Sequence, residues 1–428
     1  MTRRFATKEE ASKFLDEQTK SLRAGSYVDP RSAAAMTVTK LHEAWIARIK
    51  SAGASGRRPA TPKTVQGYEW LYSRMIGPQW GEYPLSSVTY AGIAHWTQTM
   101  KGVDGTNASD DTRARASKQF SRMLDYAVGL RVLGANPAKN ASGGRDYVPH
   151  VGTGRESVYL TRPQLERLAL CCGRYELLVR FTGLTGLRWG EVTALTMADL
   201  DLGPRPCVSV SKAFSEVNGQ LVLGETKGHA AREVPLPASL AMHLLPLVEG
   251  KPAGSLLFSS AQGLPMRNSN FTRRYYEPAR QLASASVARV QSALNLTETR
   301  RGLAVFGDLT LAALTGFQYD CGLPDPGSIG PDTWRALADQ SGVADDQRGL
   351  LLRSTGIALA YGDMDFRPPV FHDLRHTAVS LYLSVTKNVK HVQRIAGHKD
   401  GTTTLNTYGE LFDDDFFNAA AGLDGLLK

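Results

Sequence analysis

A stretch without apolar periodicity, residues 138–155 with Gly143-Gly144 and Gly152, divides the 428-residue chain into two parts of different pattern. A chain broken in this way folds as at least two domains, and each part is long enough to bury a core of its own. Upstream of the break, every patterned stretch has the spacing of a helix. Downstream, helical and alternating patterns follow one another. The expected fold is mainly α with a small antiparallel β-sheet.

Residues 4–36 read as a helical segment, with Thr7 and Glu10 spaced as a capping box and Phe5, Ala11, Phe14 and Leu15 on one face. Four helical patterns follow at 41–49, 64–76, 90–100 and 110–132. Breaks at 53–62 and 77–84 separate them, and Gly134, Asn136 and Pro137 stop the last. Charge is as uneven as pattern. Residues 1–150 carry 22 Lys+Arg against 13 Asp+Glu, whereas the remaining 278 carry 28 of each. The whole net charge of +9 therefore lies in the helical part, which suits a module that neutralises phosphates. Arg113, Arg115, Lys118 and Arg122, on or near one face of the fourth helix, are the expected DNA-binding residues.

In the second part, Thr161-Arg162-Pro163-Gln164 is another capping box, and helical patterns continue from it to residue 200. Alternation at 208–210, 220–223 and 233–236 predicts one small antiparallel sheet with a turn at Lys227-Gly228-His229. From His372 onward the pattern is helical with short breaks. No apolar run approaches the roughly 18 residues of a membrane span, and the polar N-terminus lacks a signal-peptide core. Four cysteines, two of them adjacent (Cys171 and Cys172), form neither a disulfide framework nor a zinc-ligand spacing. The expected setting is the cytoplasm, with no membrane contact.

Four short motifs carry chemistry. Thr185-Gly186-Leu187-Arg188-Trp189-Gly190-Glu191 sets an arginine at a turn into a helix, beside a glutamate suited to support it. In His372-Asp373-Leu374-Arg375 the histidine and arginine are three residues apart, hence neighbours on a helix. Ala396-Gly397-His398-Lys399 comes next, and Tyr408 stands in Asn406-Thr407-Tyr408-Gly409. Arg188, His372, Arg375, His398 and Tyr408 in that order resemble the tyrosine recombinases, specifically the phage-type integrases. Lys227 falls where that family has its hairpin lysine, with Lys251 a competing candidate. The resemblance runs from residue 37 to near the end. It implies a helical core-binding domain at 37–145, a linker at 146–158 and a mixed α/β catalytic domain at 159–428. Residues 1–36 resemble the closing helix of an arm-binding domain, or a linker.

The family's chemistry explains the need for these residue types together. Negative charge grows on the non-bridging oxygens of a phosphodiester under attack, and two guanidiniums can grip those oxygens bidentately. The resemblance makes Arg188 and Arg375 that pair, and Tyr408 the nucleophile that forms a 3′-phosphotyrosine. Lys227 would be the general acid for the departing 5′ oxygen, His372 a proton acceptor for Tyr408, and His398 a donor to the phosphate. It further implies double-stranded attachment sites as substrate, a homo-tetramer on DNA, a directionality factor as a further partner, and the cytoplasm of a bacterial host. No cofactor and no metal is called for, since cationic side chains take that role. His372 and His376 are spaced for metal binding, but no third ligand pattern accompanies them.

Residues 286–347 interrupt the family pattern. Val290-Gln291-Ser292-Ala293-Leu294, Phe306-Gly307-Asp308-Leu309-Thr310 and 327–334 resemble a peptidoglycan-binding-type helical module. The segment carries four arginines against eight acids, a poor match to a phosphate backbone. Folds are re-used, so wall binding need not come with the likeness. The tail, with Phe416, Phe417, Leu423, Leu426 and Leu427, has the apolar content of a helix that docks on a neighbouring protomer. Three rival readings remain: a type IB topoisomerase-like enzyme, a non-catalytic DNA-binding protein of the same fold, and a cell-wall-binding protein read from the module.

Overall fold

The structure is a computed structural model. It describes residues 5–23, 30–53, 58–152, 155–226, 231–281, 283, 308–323, 336, 366–386 and 388–397. Contacts divide the chain into two compact units, 1–155 and 156–428.

Among the described residues of the first unit the main elements are all helices: α1 (Lys8–Arg23), α2 (Pro30–Ala35), α3 (Val38–Ala52), α4 (Pro62–Leu71), α5 (Gly77–Trp80), α6 (Tyr90–Thr99) and α7 (Asp110–Gly129). A π-helical turn, Tyr72–Ile76, joins α4 to α5. Hydroxyls start the helices. Thr37, Thr61, Thr89 and Ser109 each accept the backbone N–H three residues on. Ahead of α1, Thr7 accepts from the Glu10 N–H, while the Glu10 carboxylate reaches back to the Ala6 N–H. Along α7, Ala116, Phe120, Met123, Leu124 and Ala127 are wholly buried, the spacing of one helix face. Trp80 meets Phe120 at 5.5 Å and Trp96 at 6.2 Å between ring centres, at the middle of this core.

The second unit opens with α8 (Arg162–Cys171) and α9 (Glu176–Thr185), followed by the single turn α10 (Trp189–Val192). The Thr161–Gln164 capping box is formed as its spacing predicts. Strands β1 (Leu200–Asp201), β2 (Cys207–Val210), β3 (Lys212–Val217), β4 (Gln220–Glu225) and β5 (Arg232–Pro235) come next, then α11 (Ala238–Val248) and α12 (Asn268–Phe271). Helices α13 (Asp308–Asp320), α14 (Asp373–Thr386) and α15 (Val389–Ala396) complete the described part. One core joins α8 and α9 to Val208, Val210 and Val234 of the sheet, and to Phe271, Phe366, Phe371 and Leu374.

The sheet differs from expectation. The strands at 208–210 and 233–236 do pair, in the three-stranded order β1-β2-β5, but the one at 220–223 belongs to a separate hairpin, β3-β4. Its turn is Asn218-Gly219, both with positive φ (48° and 75°), the dipeptide favoured in tight two-residue hairpins. The turn expected at 227–229 lies outside the described residues. In the inserted segment, α13 buries Leu314 and Phe317. Apart from 308–323 and 336, that segment also lies outside them.

Candidate active site

The turn that carries Arg188 is built by glycine. Helix α9 ends at Gly186 in the left-handed conformation (φ 69°), and the chain runs extended through Arg188 into α10. Glu191, in the first turn of α10, reaches back to accept the Arg188 backbone N–H at 2.9 Å. It also accepts from Arg188 Nη1 at 2.9 Å. Glu191 therefore supports the arginine, as its place in the motif suggested. Between them, Gly190 leaves no room for a side chain: a Cβ there would sit 2.3 Å from the backbone oxygen of Phe214 on β3. Gly190→Ala is expected to push β3 away from α10 and lower stability by about 1–3 kcal/mol. Denaturant melts check this, and an unchanged midpoint would show that β3 yields freely.

Arg375 and Arg188 are brought to the same turn from opposite ends of the unit's sequence. From α14, Arg375 donates Nη1 to the Gly186 carbonyl at 2.9 Å and Nη2 to the Ala396 carbonyl at the end of α15. Next to Arg188, Trp189 packs edge-on against Phe371, with ring centres 4.9 Å apart, and Phe371 precedes His372. His372 itself is exposed, and its ring lies 5.3 Å from that of His376. Among the described residues no group of three His, Cys, Asp or Glu is disposed to hold a metal.

The two arginines differ in what they present. Arg375 is 3% exposed and donates Nη1 and Nη2 to two backbone carbonyls, which ties two turns together. The Arg188 side chain is 29% exposed, and only Nη1 of its guanidinium is used by Glu191. Lys227, His398 and Tyr408 lie outside the described residues. Lys251 is exposed in the turn after α11.

Sequence reasoning missed Arg232. It stands on β5, and its Nη1 and Nη2 grip the Glu191 carboxylate at 3.2 and 2.7 Å. The signal was present: in Arg232-Glu233-Val234-Pro235, strand alternation puts Arg232 on the same side as buried Val234, and an inward-facing charge needs a partner. Burial alone would raise the Glu191 pKa, but hydrogen bonding and charge from Arg232, and then from Arg188, hold it below the ordinary glutamate value. The carboxylate thus stays ionised, and what it contributes to stability is lost only as pH falls through that depressed pKa.

Of the four basic residues expected to bind DNA in the first unit, Arg113 pairs with Asp110, and Arg115 with Asp111 at 3.4 Å. Lys118 and Arg122 are exposed, and Arg122 Nη1 donates to the Tyr68 hydroxyl at 3.1 Å. Arg122, Arg48 and Arg58 line one groove with Trp45, Tyr68 and Tyr126.

No protein-family model matches the sequence. No curated protein sequence matches it either. Solved structures do match in fold. An arginine-to-lysine variant of the Tn1549 transposon integrase, in complex with a circular intermediate DNA, aligns with 87% of this chain and 95% of its own, at TM-score 0.55 and 18% identity. A tyrosine-to-phenylalanine variant of that integrase, with transposon right end DNA, aligns over 92% and 100% at the same TM-score and 19% identity. The chain shares the fold of this integrase. The likeness spans both units, and at such low identity it is a likeness of backbone architecture. Among the described residues, no helix is long and apolar enough to cross a membrane.

Proposed function

We propose that the chain is a site-specific tyrosine recombinase, a phage or prophage integrase that cuts and rejoins double-stranded DNA through a 3′-phosphotyrosine. The observation that carries this reading is the meeting of two distant motifs of the sequence on one turn, where Arg375 holds the Gly186 carbonyl two residues before Arg188. In the proposed reaction the Tyr408 oxygen attacks phosphorus, His372 takes the phenolic proton, and the bond to the 5′ oxygen breaks. Lys227 gives that oxygen its proton, and His398 donates a hydrogen bond to the phosphate. Arg188 stabilises the charge on the non-bridging oxygens, with Arg375 completing the pair. Attack by a 5′-hydroxyl from another strand then releases Tyr408 and reseals the backbone without an external energy source. The substrate would be a pair of attachment sites held by a homo-tetramer in the bacterial cytoplasm, with a directionality factor biasing the outcome. Lys118 and Arg122, with Arg113 and Arg115, would bind phosphates of the same duplex.

The test uses duplexes selected from a random pool by binding to the full chain, then nicked to trap the intermediate. A protein–DNA adduct resistant to denaturation and linked through tyrosine is expected. Binding without any adduct would leave a non-catalytic DNA-binding protein. Relaxation of supercoiled plasmid without strand exchange between two sites would point to the topoisomerase-like alternative.

Residues 286–347 are, in this reading, a separate module of the catalytic domain, 159–428, and not part of its core. The described residues before and after it meet: Arg280 donates to the Pro368 carbonyl at 3.2 Å, and Ala283 and Phe366 belong to one core. Replacing 286–347 by a short Gly/Ser linker is expected to leave cleavage within a few-fold of the intact chain, since loop closure at such lengths changes by only about 1 kcal/mol. An insoluble or inert deletion would make the segment part of the catalytic core.

A further inference from the structure

We propose that Arg232 is a positioning residue for DNA cleavage, which bridges Glu191 to the end of α15 and so sets the orientation of the Arg188 guanidinium. This rests on the recombinase reading above and adds a residue that its chemistry does not name.

The geometry separates the roles of the two arginines on Glu191. Arg232 has a side chain only 9% exposed, and all three of its guanidinium nitrogens are used within the protein. Nη1 and Nη2 take the two carboxylate oxygens, and Nε donates to the Ile395 carbonyl at 3.0 Å. With every nitrogen engaged and so little of the side chain exposed, it is poorly placed to hold a phosphate. Arg188 gives Glu191 one nitrogen and keeps the rest of its fork. A carboxylate 2% exposed, held by Arg188 alone, would be a poorly compensated buried charge and free to rotate. The bidentate grip of Arg232 fixes the plane of the carboxylate, and with it the direction from which Arg188 is held.

The same guanidinium shapes the far side of the site. Helix α15 ends at Gly397 in the left-handed conformation (φ 66°), and a Cβ at Gly397 would lie 3.1 Å from Arg232 Nε and Cζ. The last carbonyls of a helix lack partners within it, and here two arginines supply them. Arg232 takes Ile395 and Arg375 takes Ala396. Each then runs on to the Arg188 turn, Arg232 through Glu191 and Arg375 through Gly186. Two parallel struts therefore join that turn to the segment from which His398 follows in sequence.

The experiment measures single-turnover cleavage of the nicked duplex by the full chain, with DNA affinity and thermal melting beside it. Arg232→Lys keeps the charge but not the three-way contact. It is expected to melt close to wild type, to bind DNA within about twofold, and to cleave at least tenfold more slowly. Because Arg232 acts through Arg188, the double variant Arg188→Lys/Arg232→Lys should cleave no more slowly than Arg188→Lys alone, whereas a purely structural role would give multiplied losses. Wild-type cleavage in a folded Arg232→Lys protein, or multiplied losses in the double variant, would overturn the inference and leave the recombinase reading standing. If Arg232→Lys does not fold, Glu191→Gln is judged by the same comparison with Arg188→Lys. Failure of both to fold would make the bridge a matter of stability and also overturn the inference. A wild-type chain that forms no adduct fails at the earlier step, and it is then the recombinase reading that falls.

Discussion

Tyr408→Phe is expected to abolish covalent attachment to DNA, lowering adduct formation by about four orders of magnitude or more, while DNA affinity stays unchanged. Only one oxygen is removed, and in the proposed reaction it is the atom that becomes bonded to phosphorus. Water attacking in its place would leave no protein joined to the 3′ end. The measurement is the fraction of nicked duplex that stays with protein after denaturation, compared with affinity from gel shifts. An adduct persisting in the variant would move the nucleophile to another residue and remove the motif order on which the proposal stands.

Arg188→Lys is expected to slow cleavage by about two to three orders of magnitude with little change in binding. The structure supplies the reason for so large an effect from a charge-preserving change. In the proposed reaction Arg188 would serve two partners at once, since Nη1 is committed to Glu191 and the rest of the fork would meet the phosphate. Lysine offers one nitrogen. Beside a buried carboxylate already held by Arg232, that ammonium either remains on Glu191 or leaves it for the DNA, and it cannot reach both with the same geometry. Long-range attraction is the same in both proteins, so affinity is the internal control. Near-normal cleavage would put Arg188 outside the chemistry.

Much of the architecture was legible because it is local. The Thr161 capping box, the buried stripe of α7 and the glycine that ends α9 depend on residues within a few positions of one another. The separate β3-β4 hairpin was equally local in origin, written in Asn218-Gly219. It was missed because the exposed strand β4, with most of its residues facing solvent, shows alternation without a core to face. The support of Arg188 by Glu191 was readable too, since three residues separate them on one turn.

What the sequence determined by itself, then, is most of the helices, the break between the two parts, the basic bias of the first, and the set of residue types able to handle a phosphodiester. The tertiary structure alone decided which of those residues meet and what each is free to do. Arg375 joins carbonyls 189 and 21 residues away. Arg232 joins Glu191 and Ile395 across 41 and 163. No periodicity spans such separations, because helix and strand patterns record only the neighbours that share a face. Buried charge is settled the other way, by whichever partners the packed core brings within hydrogen-bond distance. That is why one arginine of the motif remains open to solvent, another is buried and ties two turns together, and a third, outside the motif, holds the carboxylate beside them.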